Sequence, residues 1–173
     1  MTWPGSKWWP GRVGDCGRVD TTAARNPAEP PLLVRHADPA GERDVAALLR
    51  DVPIDRLEVA DLMRHHGVLV LSDLTLPSAA PPLAAAVFRL RRPAGTAQLV
   101  GIGVRSDLRR QGLGRRLLTG ALTWLRADGF EQVHAFAAGE AGASLLASAG
   151  FIADCGTNGQ TAAATLCCCY RAP

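Results

Sequence analysis

"VRSDLRRQGLGRRLL", residues 104–118, combines five arginines with two glycines and then enters an apolar helical pattern. The stretch before it, "QLVGIGV" (98–104), is typical of a strand, so a strand, a glycine-containing loop and a helix follow one another. A helix N-terminus presents unpaired N–H groups and the positive end of the helix dipole. Glycine lets a ligand approach the backbone, and arginine offers paired donors to phosphate oxygens. The segment therefore predicts a phosphate or pyrophosphate site.

The spacing of these glycines excludes two common nucleotide-binding motifs. The pattern G-x-x-x-x-G-K-[ST] of phosphate-binding loops is absent. The pattern G-x-G-x-x-G is also absent, and the preceding strand belongs to a predicted hairpin rather than to the opening of a βαβ unit. The reading without a ligand is an ordinary strand–loop–helix junction with surface arginines.

The rest of the chain alternates strands and helices in a mixed order. The periodicity predicts strands at 32–36, 68–74, 83–90, 98–104, 131–138, 151–155 and 164–172. It predicts helices at 39–52, 55–66, 112–128 and 141–150. The order β-α-α-β-β-β-α-β-α-β-β predicts a mixed α/β domain over residues 31–173. Residues 1–30 contain Trp, Pro and Gly without a period, and we expect them to form a poorly ordered extension.

Composition excludes several classes of protein. The net charge of +3 over 173 residues is too small to indicate nucleic-acid binding, and acidic residues are scattered among the arginines. No apolar run is long enough to span a membrane, and residues 1–20 lack the apolar region of a signal peptide, so we expect none. Cys167, Cys168 and Cys169 alternate between the faces of a predicted strand, so they cannot share a metal ion, and we expect no metal site. Five cysteines without a CxxC pair favour a reduced, cytoplasmic protein.

A known family shares the glycine pattern. Residues 109–114, "RRQGLG", match [Gln/Arg]-x-x-Gly-x-[Gly/Ala] five residues after the strand-ending Val104. This segment resembles the pyrophosphate loop of the GNAT superfamily of acyl-CoA-dependent N-acetyltransferases. Gly150-Phe151, at the end of the helix after the fifth strand, also resembles that family, so the resemblance covers about residues 32–171. It implies a GNAT-like fold, with a central mixed, mostly antiparallel sheet of six to seven strands flanked by about four helices.

The resemblance also implies a cofactor site for acetyl-CoA. Strands four and five would be the one parallel pair, opening into a V after a bulge at the end of strand four. The pantetheine arm would bond the backbone of Ile102, Gly103 and Val104 like an added strand. The pyrophosphate would bind N–H groups of the residues from 110 to 115, flanked by two arginine side chains. The cofactor-binding residues implied here are Ile102, Gly103, Val104, Arg109, Arg110, Gln111, Gly112, Leu113, Gly114 and Arg115.

Acetyl transfer to an amine needs a base and a donor for the oxyanion. His134, in the middle of the fifth strand, is one candidate base because histidine exchanges a proton near neutral pH. Glu140, at the start of the following helix, is the second. Their alternatives are a histidine packed on the sheet and a carboxylate that complements the helix dipole. The resemblance implies that the N–H of Val104 holds the oxyanion.

Two polar residues that are frequent in the family are missing. The position of a tyrosine that serves the departing thiolate is Leu146 here, and the position of a common asparagine is Gly139. Tyr170, the single tyrosine, lies in the last predicted strand and is an uncertain substitute. These losses leave open a second class of function, a module that binds acyl-CoA as a sensor without turnover.

The acceptor cannot be read from the sequence beyond its chemistry. The leading hypothesis is an enzyme that acetylates a primary amine of a small molecule or peptide. Glu58 and Asp61 in the second helix could attract a cationic amine, although solvated surface charges are the alternative. We expect no nucleic-acid and no membrane partner, and a homodimer is left open.

Overall fold

The computed structural model describes residues 30–153 and 165–171, which form one seven-stranded sheet with four α-helices. The strands are β1 (Leu32–His36), β2 (Val68–Asp73), β3 (Ala84–Arg91), β4 (Thr96–Val104), β5 (Gln132–Ala138), β6 (Ile152–Ala153) and β7 (Thr165–Arg171). The helices are α1 (Glu42–Leu48), α2 (Arg56–Arg64), α3 (Leu113–Ala127) and α4 (Gly139–Ser148). Residues 1–29 of the extension predicted at the N-terminus lie outside the described residues.

The sheet is mixed, as the sequence predicts. Its strand order is β1-β2-β3-β4-β5-β7-β6, and only β4 and β5 are parallel. Every other neighbouring pair is antiparallel. The predicted fold class is therefore confirmed in its strand number, its helix number and its single parallel pair.

Helix boundaries follow local capping signals. The Asp38 side chain accepts a hydrogen bond from the Ala40 N–H at 2.9 Å, but Pro39–Gly41 form a 3-10 turn, so α1 begins three residues later than predicted. Asp55 caps α2 by accepting from the Glu58 N–H at 2.7 Å. The left-handed residue after α2 is His66 (φ 59°).

The helices cover the two faces of the sheet unequally. Helices α3 and α4 pack on one face, where the predicted apolar stripe of α3 is fully buried. Helices α1 and α2 pack on the other face against β2, β3 and part of β4. The side chains of Val133, Ala135 and Ala137 in β5 face α3, so the alternating positions His134 and Phe136 face the α1–α2 side.

Strands β4 and β5 separate along their length. They are paired only from Thr96↔Gln132 to Leu99↔Ala135, and the described residues beyond that pair are not hydrogen-bonded to each other. A bulge at Val100 accompanies the separation, since Val87 pairs with Gly101 and the next residue of β3 pairs with Leu99. The predicted position of the bulge, at the end of the strand, is therefore wrong. Bulges increase local twist, which turns one strand away from its neighbour.

A histidine cluster lies where β1 ends. The His36 ring contacts the rings of His66 and Trp124 edge-on, with centroids 4.9 Å and 4.4 Å away. Its Nδ1 atom is buried without a hydrogen-bond partner in the described structure. Burial lowers the pKa of His36. The nearby His66 and Arg92 lower this pKa further, and Asp128 partly opposes the shift.

The His36 cluster predicts a stability that falls with acidification. Because folding lowers the pKa of His36, the native state favours the neutral ring, and the unfolded chain binds the proton more readily. The stability that His36 contributes is therefore fully present above its unfolded-state pKa of about 6.5. It is lost as the pH falls through the lowered pKa of the folded state. Urea unfolding between pH 8 and pH 5 should show a steeper loss for the parent than for His36→Phe. A His65→Gln variant, at an exposed position, should keep the parent's slope; equal slopes in all three proteins would contradict the assignment.

Candidate functional site

The anion loop, defined here as residues 109–115, follows β4 and includes the first three residues of α3. A 3-10 turn at Ser106–Leu108 follows Val104, and the chain then passes through two left-handed positions, Arg110 (φ 65°) and Gly112 (φ 77°). Glycine takes this conformation at little cost, whereas arginine adopts it only where the surrounding chain imposes it. Left-handed residues next to ordinary ones turn successive N–H groups toward one point, which is the geometry of an anion-binding nest.

The start of α3 adds donors to this nest. The first bond of the helix runs from the Arg116 N–H to the Gly112 carbonyl at 3.0 Å. The N–H groups of Leu113, Gly114 and Arg115 precede that bond and have no intrahelical acceptor. The Leu113 side chain is buried in the core, so this residue can offer only its backbone to a ligand. The loop residues from 109 to 112 are exposed.

Arginine side chains around the loop are held in different ways. The Arg109 guanidinium donates from Nε to the Val104 carbonyl and from Nη2 to the Asp51 carboxylate, each at 3.3 Å. Arg105 instead donates to Asp107 at 2.8 Å, and this hydrogen bond lowers the pKa of Asp107. Arg109 therefore lies against the end of β4, beside the anion loop.

The space between β4 and β5 beyond their last pair is called the opening here. The backbone of β4 presents two residues to it. The Arg105 N–H donates to the Leu83 carbonyl of the segment before β3 at 3.0 Å. Since hydrogen-bonded and non-hydrogen-bonded pairs alternate along an antiparallel ladder, Gly103 exchanges its bonds with β3. The N–H and C=O groups of Ile102 and Val104 then point away from β3, into the space between β4 and β5. Of the three residues expected to bond the pantetheine arm, these two are oriented to do so.

Gly103 instead allows α1 to approach the strand. A Cβ atom at Gly103 would collide with the backbone carbonyl of Leu48, which lies at the end of α1. We expect Gly103→Ala to destabilise the fold by about 1–3 kcal/mol, since a backbone carbonyl cannot rotate away as a side chain can. The matched control is Gly114→Ala, where the nearest side-chain atom to a new Cβ is 3.5 Å away. Equal denaturation midpoints for the two variants would contradict the packing at Gly103.

The two candidate bases lie at opposite ends of the opening, which is closed where β4 and β5 are still paired and open at the other end. His134 pairs with Gln98, one residue before the last paired residues, so it sits at the closed end. Its side chain is half-buried and forms an interaction of its own. Glu140 lies in the exposed first turn of α4, at the open end. Five residues lie between them, so an extended chain would hold them about 20 Å apart, and the structure does not bring them together.

Phe136 is a residue that the sequence reasoning missed. It is the first residue of β5 beyond the stretch that pairs with β4, it lies on the same face as His134, and its side chain is 54% exposed. The signal that could have identified it is the alternation along the strand. Val133, Ala135 and Ala137 are buried on one face, which places His134 and Phe136 on the opposite face.

The positions of the missing polar residues differ in character. The Leu146 side chain is 4% exposed and belongs to the core between α4 and the sheet. A tyrosine there would have to fit a filled core rather than an open cleft. Gly139 has a φ of 79°, a conformation that glycine and asparagine both tolerate, so a glycine fits the backbone at the position where the family resemblance implies an asparagine.

The acidic residues of α2 are engaged in ion pairs. Arg89 donates to the Glu58 carboxylate, with Nε 2.7 Å away, and Arg64 donates to Asp61 at 3.0 Å. Asp61 also lies 3.7 Å from the His65 ring. Neither carboxylate is therefore available without losing a partner.

A splayed pair of parallel strands beside an anion loop has the geometry to accept an extended, phosphate-bearing ligand along a strand. The family model described as "Acetyltransferase (GNAT) family" matches residues 54–156, more than half of the chain. The chain therefore belongs to the GNAT acetyltransferase family. No curated protein sequence matches it significantly.

Solved structures of acetyltransferases share the fold. N-acetylglutamate synthase from Neisseria gonorrhoeae, in complex with coenzyme A and N-acetyl-glutamate, has a TM-score of 0.64 and 16% identity over 83% of this chain. The chain spans only 35% of that protein. Ard1 from Thermoplasma volcanium has a TM-score of 0.63 and 15% identity, covering 81% of this chain and 97% of its own. The ribosomal-protein-S5-alanine acetyltransferase from Vibrio fischeri has a TM-score of 0.61 and 15% identity, with coverages of 81% and 92%. At these identities the likeness is one of fold.

The described residues contain neither a membrane-spanning helix nor a metal-binding group. Among residues 30–153 and 165–171, no helix is long and apolar enough to cross a membrane. The same residues contain no group of three or more His, Cys, Asp or Glu side chains that could hold a metal ion.

Proposed function

We propose that this protein transfers an acetyl group from acetyl-CoA to a primary amine of a small molecule or peptide by direct attack. The observation that carries the proposal is the continuity of the anion loop with the opening between β4 and β5. A ligand with a pyrophosphate at one end and a polar arm at the other fits such a path. Family membership and neighbours determined with coenzyme A support the choice of ligand.

The residues assign a direction to the bound cofactor. The pyrophosphate accepts hydrogen bonds from N–H groups between Arg110 and Arg115, and Arg109 can turn toward it from Asp51. The pantetheine arm pairs with Val104 and then with Ile102, which carries the thioester toward the closed end of the opening. The N–H of Ile102, rather than that of Val104, is then the donor nearest to the acetyl oxygen.

The chemistry requires one proton acceptor near that end. His134 lies there and takes a proton from the incoming ammonium or from the attacking amine, through a water molecule if needed. The amine nitrogen forms a bond to the thioester carbon, and the oxyanion is held by a backbone N–H. The C–S bond then breaks, and the CoA thiolate leaves and takes a proton from water, because Leu146 offers none.

A second function keeps the same ligand without the reaction. The burial of Leu146 and the glycine at position 139 remove two polar groups that would serve the thiolate. An acyl-CoA sensor needs the anion loop and the opening, but it does not need these groups.

One assay separates the two functions. The full chain is incubated with acetyl-CoA and a panel of primary amines, and free thiol and N-acetylated product are both measured. We expect product in excess of the enzyme concentration, with one thiol released per product. Binding of CoA by calorimetry without product from any amine would favour the sensor.

A further inference from the structure

The acceptor side of the opening carries an exposed aromatic side chain that the proposed reaction does not yet use. Phe136 is 54% exposed and lies immediately after Ala135, the last residue of β5 that pairs with β4. It shares the α1–α2 face of the sheet with His134, two residues earlier. A large apolar side chain next to the position of the reacting amine is placed to contact what the amine carries.

The opposite wall of this space is also apolar. A Cβ atom at Gly101 would meet both methyl groups of Val52, so the segment after α1 lies directly over β4 at the start of the separation. Val52 and the neighbouring Ile54 are partly buried against the core cluster of α1 and α2. The space above the separation is thus bounded by aliphatic side chains on the β4 side and by Phe136 on the β5 side.

Charge near this space does not favour a polycation. Glu58 and Asp61, the carboxylates that could have attracted one, are bound to Arg89 and Arg64. Glu140 lies in the first turn of α4, past the other end of β5, rather than beside His134.

Resting on the proposed function, we propose that the acceptor is a primary amine borne next to an apolar or aromatic group, and that Phe136 contacts this group. Aromatic side chains bury a large apolar area and pair favourably with other rings. An arylalkylamine and the N-terminus of a peptide with an apolar first residue both present this chemistry. A diamine or polyamine would place its second charge against the apolar ring of Phe136.

The test compares four acceptors with acetyl-CoA as donor: phenethylamine, spermidine, and two short peptides that begin with Phe or with Asp. We expect kcat/KM to be at least tenfold higher for phenethylamine than for spermidine, or for the Phe peptide than for the Asp peptide. Comparison of the first acceptor with the third distinguishes a small-molecule acceptor from a peptide acceptor.

Two substitutions test the residue itself. Phe136→Ser should raise KM for the preferred acceptor about tenfold while leaving the affinity for CoA unchanged, and Phe136→Asp should shift the preference toward spermidine. The matched control is Leu33→Ser, which removes a side chain of similar exposure (43%) from β1 at the far edge of the sheet. Transfer to spermidine as good as to phenethylamine and the Phe peptide, or Phe136 variants that behave like Leu33→Ser, would overturn this inference and leave the transferase standing. No transfer to any amine would overturn the transferase and the inference with it.

Discussion

Replacing Gly114 with aspartate should weaken the binding of CoA by at least about 100-fold. The N–H of Gly114 is one of the unpaired donors at the start of α3, and a side chain added there would face Val104 and Leu145, so a new carboxylate would bring negative charge next to the donors proposed for the pyrophosphate. Like charges brought together at an interface cost several kcal/mol, and each 1.4 kcal/mol is about tenfold in affinity. Titration calorimetry with CoA measures the loss directly.

The control for this substitution is available at the same position. Gly114→Ala adds a methyl group that would lie 3.5 Å from a Val104 methyl group, an ordinary contact, and it should bind CoA within a few-fold of the parent. Gly112→Asp should also abolish binding, but its φ of 77° adds backbone strain to the charge effect. If Gly114→Asp binds CoA as Gly114→Ala does, the anion loop does not hold the pyrophosphate.

Removing the His134 side chain should lower kcat/KM by roughly 10²–10⁴-fold at neutral pH, the usual contribution of a positioned general base. The loss should shrink as the pH is raised, because the free amine then forms without help from the protein. A pH profile of kcat/KM for parent and His134→Ala measures this. A merely structural histidine would change the unfolding midpoint without changing the shape of the profile.

Gln98 provides the comparison for that experiment. It is the register partner of His134 in β4, on the same face of the sheet, and has no role in the proposed proton transfer. Gln98→Ala should keep the parent's pH profile, and CoA should bind both variants with unchanged affinity. Activity of His134→Ala within a few-fold of the parent would contradict the assignment of the base.

Local signals were enough to place the main elements. The apolar spacing along α3, six buried positions at intervals of three and four, predicts both the helix and its buried face. The strand at 98–104 and its hairpin partner follow from continuous apolar runs bounded by turn residues. The anion loop could be located for the same reason, since glycines and unpaired N–H groups at a helix start are properties of neighbouring residues.

Contacts between distant residues could not be read in this way. The bulge at Val100 depends on how β4 pairs with β3, and the chain shows no local feature that shifts it away from the strand end. Gly103 was expected to contact the cofactor, but its ladder pairing and the nearby Leu48 carbonyl give it a packing role. The ion pairs of Glu58 and Asp61 likewise depend on which side chains the fold brings near them.

The sequence by itself determined the class of this protein, because periodicity and the glycine pattern are short-range properties that survive in any GNAT-like arrangement. Only the tertiary structure decided which groups face the opening. Register pairs Gln98 with His134 and leaves Phe136 without a partner in β4, so one base candidate and one aromatic side chain lie near the closed end while Glu140 is carried to the other. The physical reason is that strand pairing is fixed by hydrogen bonds between residues remote in the chain, and a shift of one residue would turn every side chain to the opposite face.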